Sequence, residues 1–190
     1  MINVGIIRYP GSNCDLETKR YFDFNDNKCI FIWHKETDFK LLDNIDLLVL
    51  PGGFAFGDRM YNKATENYII SPGTMALSSP VSILINEAVK RNIAILGICN
   101  GFQILTQMDL LPGKLLLNDS KKFFSKKVKC NVHYKNISES TELYVANSYG
   151  KYENENDLNN DECYFLKYED NTVAGVCNMT KKIFGMMPHP

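Results

Sequence analysis

A cysteine between two glycines, in the segment Gly97-Ile98-Cys99-Asn100-Gly101, is the part of this sequence best suited to covalent chemistry. The apolar, β-branched residues 93–98 predict a buried strand, and Phe102, Leu105 and Met108 follow at near-helical spacing. A strand, a sharp turn and a helix with cysteine at the turn form a nucleophile elbow. The glycines relieve crowding at the turn, and the helix N-terminus favours the thiolate. The segment therefore predicts a nucleophilic thiol, with a buried, unreactive core thiol as the alternative.

A thiol that attacks a carbonyl needs a base, and the sequence contains three histidines that could serve. His34 follows one predicted strand, and His133 lies in a strand-like stretch among lysines. His189 comes directly after the predicted strand 183–187, and a histidine just past a strand end is the best placed of the three. We therefore expect His189 to be the base, with an ordinary surface histidine as the alternative.

The attack also needs hydrogen-bond donors for the oxyanion that forms on the carbonyl. In an elbow, the residue after the nucleophile supplies one backbone N–H, which here is that of Asn100. A second N–H must come from another strand end, and Gly53 in Pro51-Gly52-Gly53 follows the predicted strand 46–50. Glycine allows the backbone to turn its N–H toward a ligand, so we expect Gly53 to be this donor. The alternative is a tight turn that happens to be rich in glycine.

The first half of the chain alternates apolar strands with helices, which predicts a parallel sheet covered on both faces. Short strands dominate after residue 117 and predict antiparallel additions to this sheet. We expect one α/β domain over residues 1–190, a three-layer sandwich whose sheet is mostly parallel. Sites in such folds lie beyond the carboxyl ends of the strands, so Gly53 and Cys99 can share one. The predicted strands are 2–7, 29–33, 46–50, 93–98, 128–134, 142–146, 163–168, 173–177 and 183–187, with helices at 15–24 and from Ser79 (N-cap) and Pro80 (first position).

Composition excludes several other classes of function. The formal net charge of −1 gives no support for general binding to nucleic acid or membranes. The six cysteines form no C-x-x-C pair and have no histidine at metal-ligand spacing, so we expect no structural zinc. The start of the chain has no signal-peptide pattern, which predicts a cytoplasmic, reduced location. The lysine-rich run 121–129 predicts a solvated loop and strand edge, with docking of a phosphorylated ligand or acidic partner as the alternative.

The residues around Cys99, together with Pro51-Gly52-Gly53 and His189, resemble the class I (triad) glutamine amidotransferases, which have a flavodoxin-like fold. Further matches run from end to end of the chain and narrow the resemblance to glutaminase subunits of phosphoribosylformylglycinamidine synthases. Their joint occurrence is far more specific than any single motif. These matches are Pro10-Gly-Ser-Asn-Cys-Asp15, Trp33-His34, Leu50-Pro-Gly-Gly-Phe-Ala-Phe-Gly-Asp58, Leu110-Leu-Pro-Gly113 and Gly185-Met-Met-Pro-His-Pro190.

The resemblance implies that Cys99 attacks the side-chain amide of glutamine while the N–H groups of Gly53 and Asn100 hold the oxyanion. His189 would protonate the departing ammonia and then activate water to release glutamate. Gln103 would help to bind the amino-acid end of glutamine, the alternative being a polar residue on an exposed helix face. The resemblance also places a further set of residues at or near the glutamine pocket, namely Gly52, Asn147, Ser148 and Tyr149.

The resemblance also implies a division of labour between chains. This chain would need no cofactor, and its ammonia would pass to a large synthase subunit that uses ATP and Mg²⁺. That subunit makes the amidine from formylglycinamide ribonucleotide in de novo purine synthesis. A small third subunit can bridge the two.

Three departures from the family pattern keep other functions open. The family's triad glutamate lies two residues after the histidine, whereas this sequence stops at Pro190, so we expect a C-terminal truncation. Ser148-Tyr149 stand where the family has Gly-Glu, and the segment 59–78 is longer than usual. That segment is either a docking insertion or a tolerated surface loop. The alternatives are a catalytically impaired scaffold subunit and a different cysteine-elbow α/β protein, such as a stress-response hydrolase or protease-like protein.

Overall fold

A computed structural model of the chain describes residues 1–57, 71–154, 163–178, 180 and 182–190. Nine of the described strands form one sheet in the order β2-β1-β3-β4-β11-β10-β9-β6-β7, and β5 and β8 form a separate pair. The strands are β1 Asn3–Arg8, β2 Lys28–Trp33, β3 Leu47–Leu50, β4 Ala94–Ile98, β5 Lys114–Leu117, β6 Phe124–Tyr134, β7 Ile137–Asn147, β8 Tyr149–Glu153, β9 Leu166–Tyr168, β10 Val173–Asn178 and β11 Ile183–Met186. The described α-helices are α1 Asp15–Phe24, α2 Ser82–Lys90 and α3 Asn100–Gln107.

The strands β2, β1, β3, β4 and β11 run parallel and form the apolar half of the sheet. The interior residues of β1 and β3 are buried, as expected for strands that lie under helices. The chain leaves β1 through α1 for β2 on one side, and leaves β3 through α2 for β4 on the other. The loops 9–14 and 51–57 therefore meet where the strand order reverses, and Phe54 N–H donates to Gly11 O at 2.9 Å. Ligand sites in open α/β sheets lie at this position.

The antiparallel half of the sheet turns back toward the parallel half. Strands β10, β9, β6 and β7 follow β11 with antiparallel pairing throughout. The outermost of these strands, β7, forms a β-bridge between Tyr144 and His189, three residues beyond the end of β11. This bridge brings residues 144–147 close to the carboxyl ends of the parallel strands.

The predicted fold class is confirmed: an α/β protein with parallel strands, an elbow between β4 and α3, and added antiparallel strands. The predicted start of the second helix is wrong, because that helix begins at Ser82 and its N-cap is Val81. The Ser79 hydroxyl instead donates to His34 O at 2.7 Å, which anchors β2 to the turn before the helix. Residues 163–165 are also outside the short strand β9.

Two strands, β5 and β8, were not predicted because each is short, with four and five residues. Residues 59–70 of the long segment 59–78, and residues 155–162, lie outside the described residues. Among the residues that are described, no helix combines the length and apolar character needed to cross a bilayer.

Candidate active site

Cys99 occupies a strained turn between β4 and α3, with φ 51° and ψ −105°. A positive φ is unusual for a residue with a side chain, and strained backbone of this kind is concentrated at functional sites. A Cβ at Gly97 would stand 2.6 Å from Leu105 Cδ1, and one at Gly101 would stand 2.7 Å from Leu50 C. Both contacts are too short for a real Cβ, so the elbow requires glycine on each side of Cys99, as predicted.

The two predicted oxyanion donors meet at the nucleophile. The backbone N–H groups of Asn100 and Gly53 both lie close enough to the Cys99 sulfur to lower its pKa by hydrogen bonding. Gly53 has a φ of 136°, and a Cβ there would stand 2.7 Å from Asn13 N. Only glycine therefore fits this turn, and the turn aims its N–H at the sulfur. Fixed donors at this point can stabilise negative charge that develops on a carbonyl attacked by Cys99.

His189 lies against the same glycine pair. A Cβ at Gly52 would stand 2.5 Å from His189 Cε1, so the imidazole ring covers the Gly52 backbone. The backbone of His189 is held by Tyr144, which accepts from His189 N–H at 2.7 Å and donates to His189 O at 3.3 Å. Its Nε2 is buried and has no hydrogen-bond partner among the described residues. Gly52 and Gly53 thus bring the predicted base and nucleophile to one loop.

Burial controls the protonation of both groups. It raises the pKa of the Cys99 thiol to about 12, because desolvation outweighs the N–H groups of Asn100 and Gly53, which lower it. The expected preference for thiolate is therefore wrong for this free state. Burial also lowers the pKa of His189 below its usual 6.5. At pH 7 the site holds a neutral thiol and a neutral imidazole, and a neutral imidazole can accept the proton of the thiol.

The other two histidines lie elsewhere. His34 is buried, its Nδ1 lies 3.1 Å from Ser79 Oγ, and its ring packs edge-on against Phe56. His133 is exposed on β6, where its Nδ1 lies 3.3 Å from Ser138 Oγ. Of the three histidines, His189 is the one that the fold brings to the Gly52–Gly53 turn.

Gln103 is buried in the first turns of α3, with 6% of its surface exposed, so the alternative of an exposed polar residue is wrong. Its Oε1 accepts from Asn100 Nδ2 at 3.0 Å, and its Nε2 donates to Tyr149 O at 2.7 Å. Asn100 Oδ1 in turn accepts from Ala55 N–H at 2.9 Å. These side chains connect the elbow to two loops. The contact between Gln103 and substrate stays a prediction.

The turn 147–150 flanks the nucleophile. The thiol of Cys99 lies 3.9 Å from Ala146 O, directly before this turn. The Asn118 side chain donates to Asn147 Oδ1 at 3.0 Å and accepts from Gly150 N–H at 3.0 Å, and Asn118 N–H donates to Ser148 O at 2.8 Å. The turn that contains the predicted pocket residues Asn147, Ser148 and Tyr149 is therefore fixed beside Cys99.

Sequence reasoning missed Asn118, Ala146 and Tyr144. Asn118 follows the apolar run 115–117, and a polar residue at a strand end carried no distinct pattern. Ala146 and Tyr144 act through backbone atoms, which any residue type could supply. Only long-range pairing of β7 with the end of β11 reveals these contacts.

The lysine-rich run 121–129 lies on and before β6, and its lysines are exposed, as predicted. It lines a cleft of about 1070 Å³ together with parts of β7, β8 and β10. Lys127 pairs with Glu142, and Lys129 with Glu169, so part of its charge is balanced locally. Within the described ranges, no group of three or more His, Cys, Asp and Glu side chains could hold a metal ion.

Comparison with known proteins gives a consistent result. The phosphoribosylformylglycinamidine synthase subunit PurQ of Campylobacter jejuni is 36% identical over 207 residues, which cover 100% of this chain and 86% of that protein. The subunit PurQ of Thermotoga maritima is 34% identical over 199 residues, covering 97% of this chain and 85% of the relative.

Solved structures agree with the sequence relatives. A chain in the structure of PurLQS from Thermotoga maritima superimposes with a TM-score of 0.84 at 32% identity, covering 100% of this chain and 87% of that one. The glutaminase domain of Trypanosoma brucei CTPS, at 12% identity and a TM-score of 0.61, shares the fold. The family model for the CobB/CobQ-like glutamine amidotransferase domain matches residues 1–172, which include Cys99. The chain is therefore a member of the CobB/CobQ-like glutamine amidotransferase family.

Proposed function

We propose that this chain is the glutaminase subunit of a phosphoribosylformylglycinamidine synthase. It hydrolyses glutamine to glutamate and ammonia, and the ammonia serves to convert formylglycinamide ribonucleotide to formylglycinamidine ribonucleotide in purine synthesis. The observation that carries the proposal is the convergence of three groups on one loop: the Cys99 sulfur, the N–H groups of Gly53 and Asn100, and the His189 ring. The relatives named as this subunit, 36% and 34% identical over almost the whole chain, supply the substrate class.

In the first half of the reaction, Cys99 Sγ attacks the side-chain carbonyl carbon of glutamine as its proton moves to His189. The carbonyl oxygen gains the negative charge, which the N–H groups of Gly53 and Asn100 stabilise. The C–N bond then breaks as His189 returns the proton to the amide nitrogen. Ammonia leaves, and the glutamyl group remains on Cys99 as a thioester.

In the second half, His189 takes a proton from water as the water oxygen attacks the thioester carbon. The same two N–H groups hold the oxyanion, the C–S bond breaks, and the proton returns to the sulfur. Glutamate leaves and the thiol is restored. One oxyanion donor is worth roughly 3–4 kcal/mol of barrier in comparable enzymes, so the pair accounts for much of the expected rate enhancement.

The neutral state of the thiol and imidazole suits this sequence of events. A base that is already protonated could not accept the thiol proton, and the lowered pKa of His189 keeps its ring neutral at pH 7. The chemistry described uses only this chain's own groups and water, so we propose that the glutaminase half-reaction requires no cofactor.

The assembly partners follow from the solved relative. The Thermotoga maritima structure called PurLQS contains a chain that matches this one at a TM-score of 0.84. We propose that this chain likewise works with a large synthase subunit, which uses ATP and Mg²⁺, and with a small bridging subunit. The proposed pathway is cytoplasmic, in keeping with six cysteines that form no disulfide among the described residues.

A second candidate is a scaffold subunit that docks but hydrolyses glutamine poorly. The buried His189 Nε2 has no hydrogen-bond partner among the described residues, so no described carboxylate orients the ring. In triads of this kind, the group that orients the base contributes strongly to the rate. The third alternative, a different cysteine-elbow protein, is not supported by the relatives at 36% identity.

Reconstitution with the synthase and bridging subunits tests the function. Cys99→Ala should abolish glutamine-dependent synthesis and leave synthesis from added ammonia intact, because the synthase site lies on another chain. Cys29→Ala, which removes a half-buried thiol from β2, is the matched control and should leave both activities unchanged. Loss of both activities in Cys99→Ala would refute the division of labour.

The same reconstitution separates the two candidates. A wild-type chain that binds its partners but yields no glutamate from glutamine would be a scaffold subunit. Covalent labelling of Cys99 by a glutamine-like chloroketone, with protection by excess glutamine, would instead show a formed and reactive pocket.

A further inference from the structure

We propose that the side chains of Asn100 and Gln103 form a directional chain of amide groups that positions the two oxyanion donors. In this role both are positioning residues, acting through the backbone N–H groups of Gly53 and Asn100. The proposal rests on the glutaminase function proposed above and assigns a further task to Gln103, beyond the substrate contact expected from its motif.

The chain of hydrogen bonds crosses the site without a break. Ala55 N–H donates to Asn100 Oδ1 at 2.9 Å, and Asn100 Nδ2 donates to Gln103 Oε1 at 3.0 Å. Gln103 Nε2 then donates to Tyr149 O at 2.7 Å. Asn100 is 2% exposed and Gln103 6%, so water cannot easily replace any of these bonds. Buried hydrogen bonds between amide groups are costly to break, because a polar group that is left buried without a partner still pays the full cost of its desolvation.

Both donors depend on this chain. Asn100 itself supplies one N–H, and its side chain holds Ala55, which lies two residues after the second donor, Gly53. The opposite side of the same loop is held by Gly11 O, which accepts from Phe54 N–H at 2.9 Å. The Gly53 turn is thus clamped between the elbow and the loop after β1. A shift of about 1 Å in such donors can reduce a rate roughly 100-fold.

The far end of the chain is also fixed. Tyr149 O belongs to the turn 147–150, which Asn118 holds with two hydrogen bonds. Asn118 N–H donates to Ser148 O at 2.8 Å, and Asn118 Oδ1 accepts from Gly150 N–H at 3.0 Å. The amide chain therefore connects the elbow to two loops, and each of these loops is anchored to another part of the fold. It holds the loops in one arrangement.

The direction of the chain makes it testable with isosteric changes. Each amide accepts on the Ala55 side and donates on the Tyr149 side. A carboxylate only accepts, so Gln103→Glu sets an oxygen against Tyr149 O. Asn100→Asp likewise places a carboxylate oxygen against Gln103 Oε1. If the Gln103 side-chain amide rotates to donate to that carboxylate, its oxygen then faces Tyr149 O, so two acceptors still oppose each other. Gln107→Glu is the matched control, because Gln107 Oε1 accepts from Thr74 Oγ1 at 3.1 Å, a role that a carboxylate keeps.

The decisive measurement is kcat and KM for glutamine hydrolysis by the reconstituted complex. Asn100→Asp and Gln103→Glu should lower kcat roughly 10- to 100-fold with KM changed by less than about threefold, since oxyanion donors act in the transition state. Gln107→Glu should match the wild type. A large rise in KM with kcat unchanged would show that Gln103 acts by binding substrate, and unchanged kinetics in both variants would overturn the proposal.

A pH series adds a readout that mere loss of stability would not reproduce. In the Gln103→Glu variant, a protonated carboxyl group at position 103 can donate its O–H to Tyr149 O and restore the chain. Burial raises the pKa of a carboxyl group, so the activity of this variant relative to wild type should rise as the pH falls from 8 to 6. A ratio that is constant or falls over this range would contradict the proposal.

Alkylation of Cys99 by iodoacetamide, followed by mass spectrometry, tests the amide chain without any turnover. Displaced N–H donors stabilise the thiolate less, so both variants should react several-fold more slowly than wild type at pH 8.5. A wild-type complex that does not hydrolyse glutamine refutes the proposed function, whereas the alkylation rates still decide the role of the amide chain. Equal rates in all chains, with equal melting temperatures, would refute that role alone.

Discussion

Tyr144 and His189 exchange two backbone hydrogen bonds, of 2.7 and 3.3 Å, although Tyr144 lies on the outermost strand β7 and His189 follows β11, four places away in the sheet order. Two residues along β7, Ala146 O lies 3.9 Å from Cys99 Sγ. The same short stretch of β7 therefore holds the base and flanks the nucleophile. The distance between these two catalytic groups depends on the pairing of a strand that provides neither of them.

Replacing Tyr144 with proline tests the importance of this pairing. The backbone N–H and C=O of Tyr144 both bond to His189 and therefore point away from β6. Proline at position 144 thus removes the N–H that donates to His189 O and leaves the hydrogen bonds between β6 and β7 intact. We expect glutamine hydrolysis to fall at least roughly tenfold, because the imidazole loses its fixed position.

Glu142→Pro is the control for this variant. The backbone N–H of residue 142 points to the same side of β7 as that of residue 144, so proline there also leaves the bonds to β6 intact. The substitution removes only an exposed ion pair between Glu142 and Lys127. We expect it to retain most of the activity. Equal loss of kcat in the two variants, at equal melting temperatures, would show that the Tyr144–His189 bridge has no specific role.

Gly52→Ala should displace the His189 ring with little effect on the fold. The added Cβ would stand 2.5 Å from Cε1, and the ring is the group that must move. We expect kcat to fall roughly 10- to 100-fold, with a melting temperature within a few degrees of wild type. Kinetics and thermal melting of the same preparation provide the test. Full activity in this variant would mean that the ring position seen here is not the one used in catalysis.

The reactivity of Cys99 should increase with pH across the alkaline range. Because burial raises its pKa to about 12, the thiolate fraction grows roughly tenfold per pH unit up to pH 10 or 11. Residue-resolved alkylation with iodoacetamide should show this slope in the folded chain. In the chain unfolded in urea, the rate should level off near the ordinary thiol pKa of about 8.5. A plateau below pH 8 in the folded chain would mean that the free site already stabilises the thiolate.

His189 should make stability depend on pH in the acid range. Its pKa in the folded chain lies below the unfolded value of 6.5, so the unfolded chain binds the proton first as pH falls. The free energy of unfolding should therefore decrease as pH falls through 6.5 and below.

Comparison of wild type with His189→Gln isolates this effect, because His34, whose pKa burial also lowers, is present in both chains. Urea unfolding between pH 8 and 5 should show a steeper loss of stability in wild type. A difference between the two chains that does not change with pH would contradict the buried, neutral state of His189.

The local features of this site could be predicted from the sequence because short segments specify them. The apolar residues before Cys99 require a buried strand, and Gly97 and Gly101 require a sharp turn, so the elbow follows from neighbouring residues alone. The placement of Gly53 near Cys99 followed from a rule about strand ends in parallel sheets. The structure brings both features together at the Cys99 sulfur.

The remaining features depend on contacts distant in sequence. Nothing near Tyr144 indicates that its backbone pairs with residue 189, because the pairing depends on how the antiparallel half of the sheet turns back. The protonation of Cys99 was predicted with the wrong sign for a related reason. The helix N-terminus is a local feature, whereas the burial that outweighs it is produced by the whole surrounding fold. Ser79 likewise has the local pattern of an N-cap but bonds to His34 instead.

The amide groups of Asn100 and Gln103 have one further property: they neither gain nor lose protons anywhere in the physiological range. The placement of the oxyanion donors is therefore insensitive to acidity, while the charge of the reacting groups is not. In this site, shape and ionisation are controlled by separate sets of residues. Evolution or engineering could thus shift the working pH through the surroundings of Cys99 and His189 without disturbing the alignment of the donors.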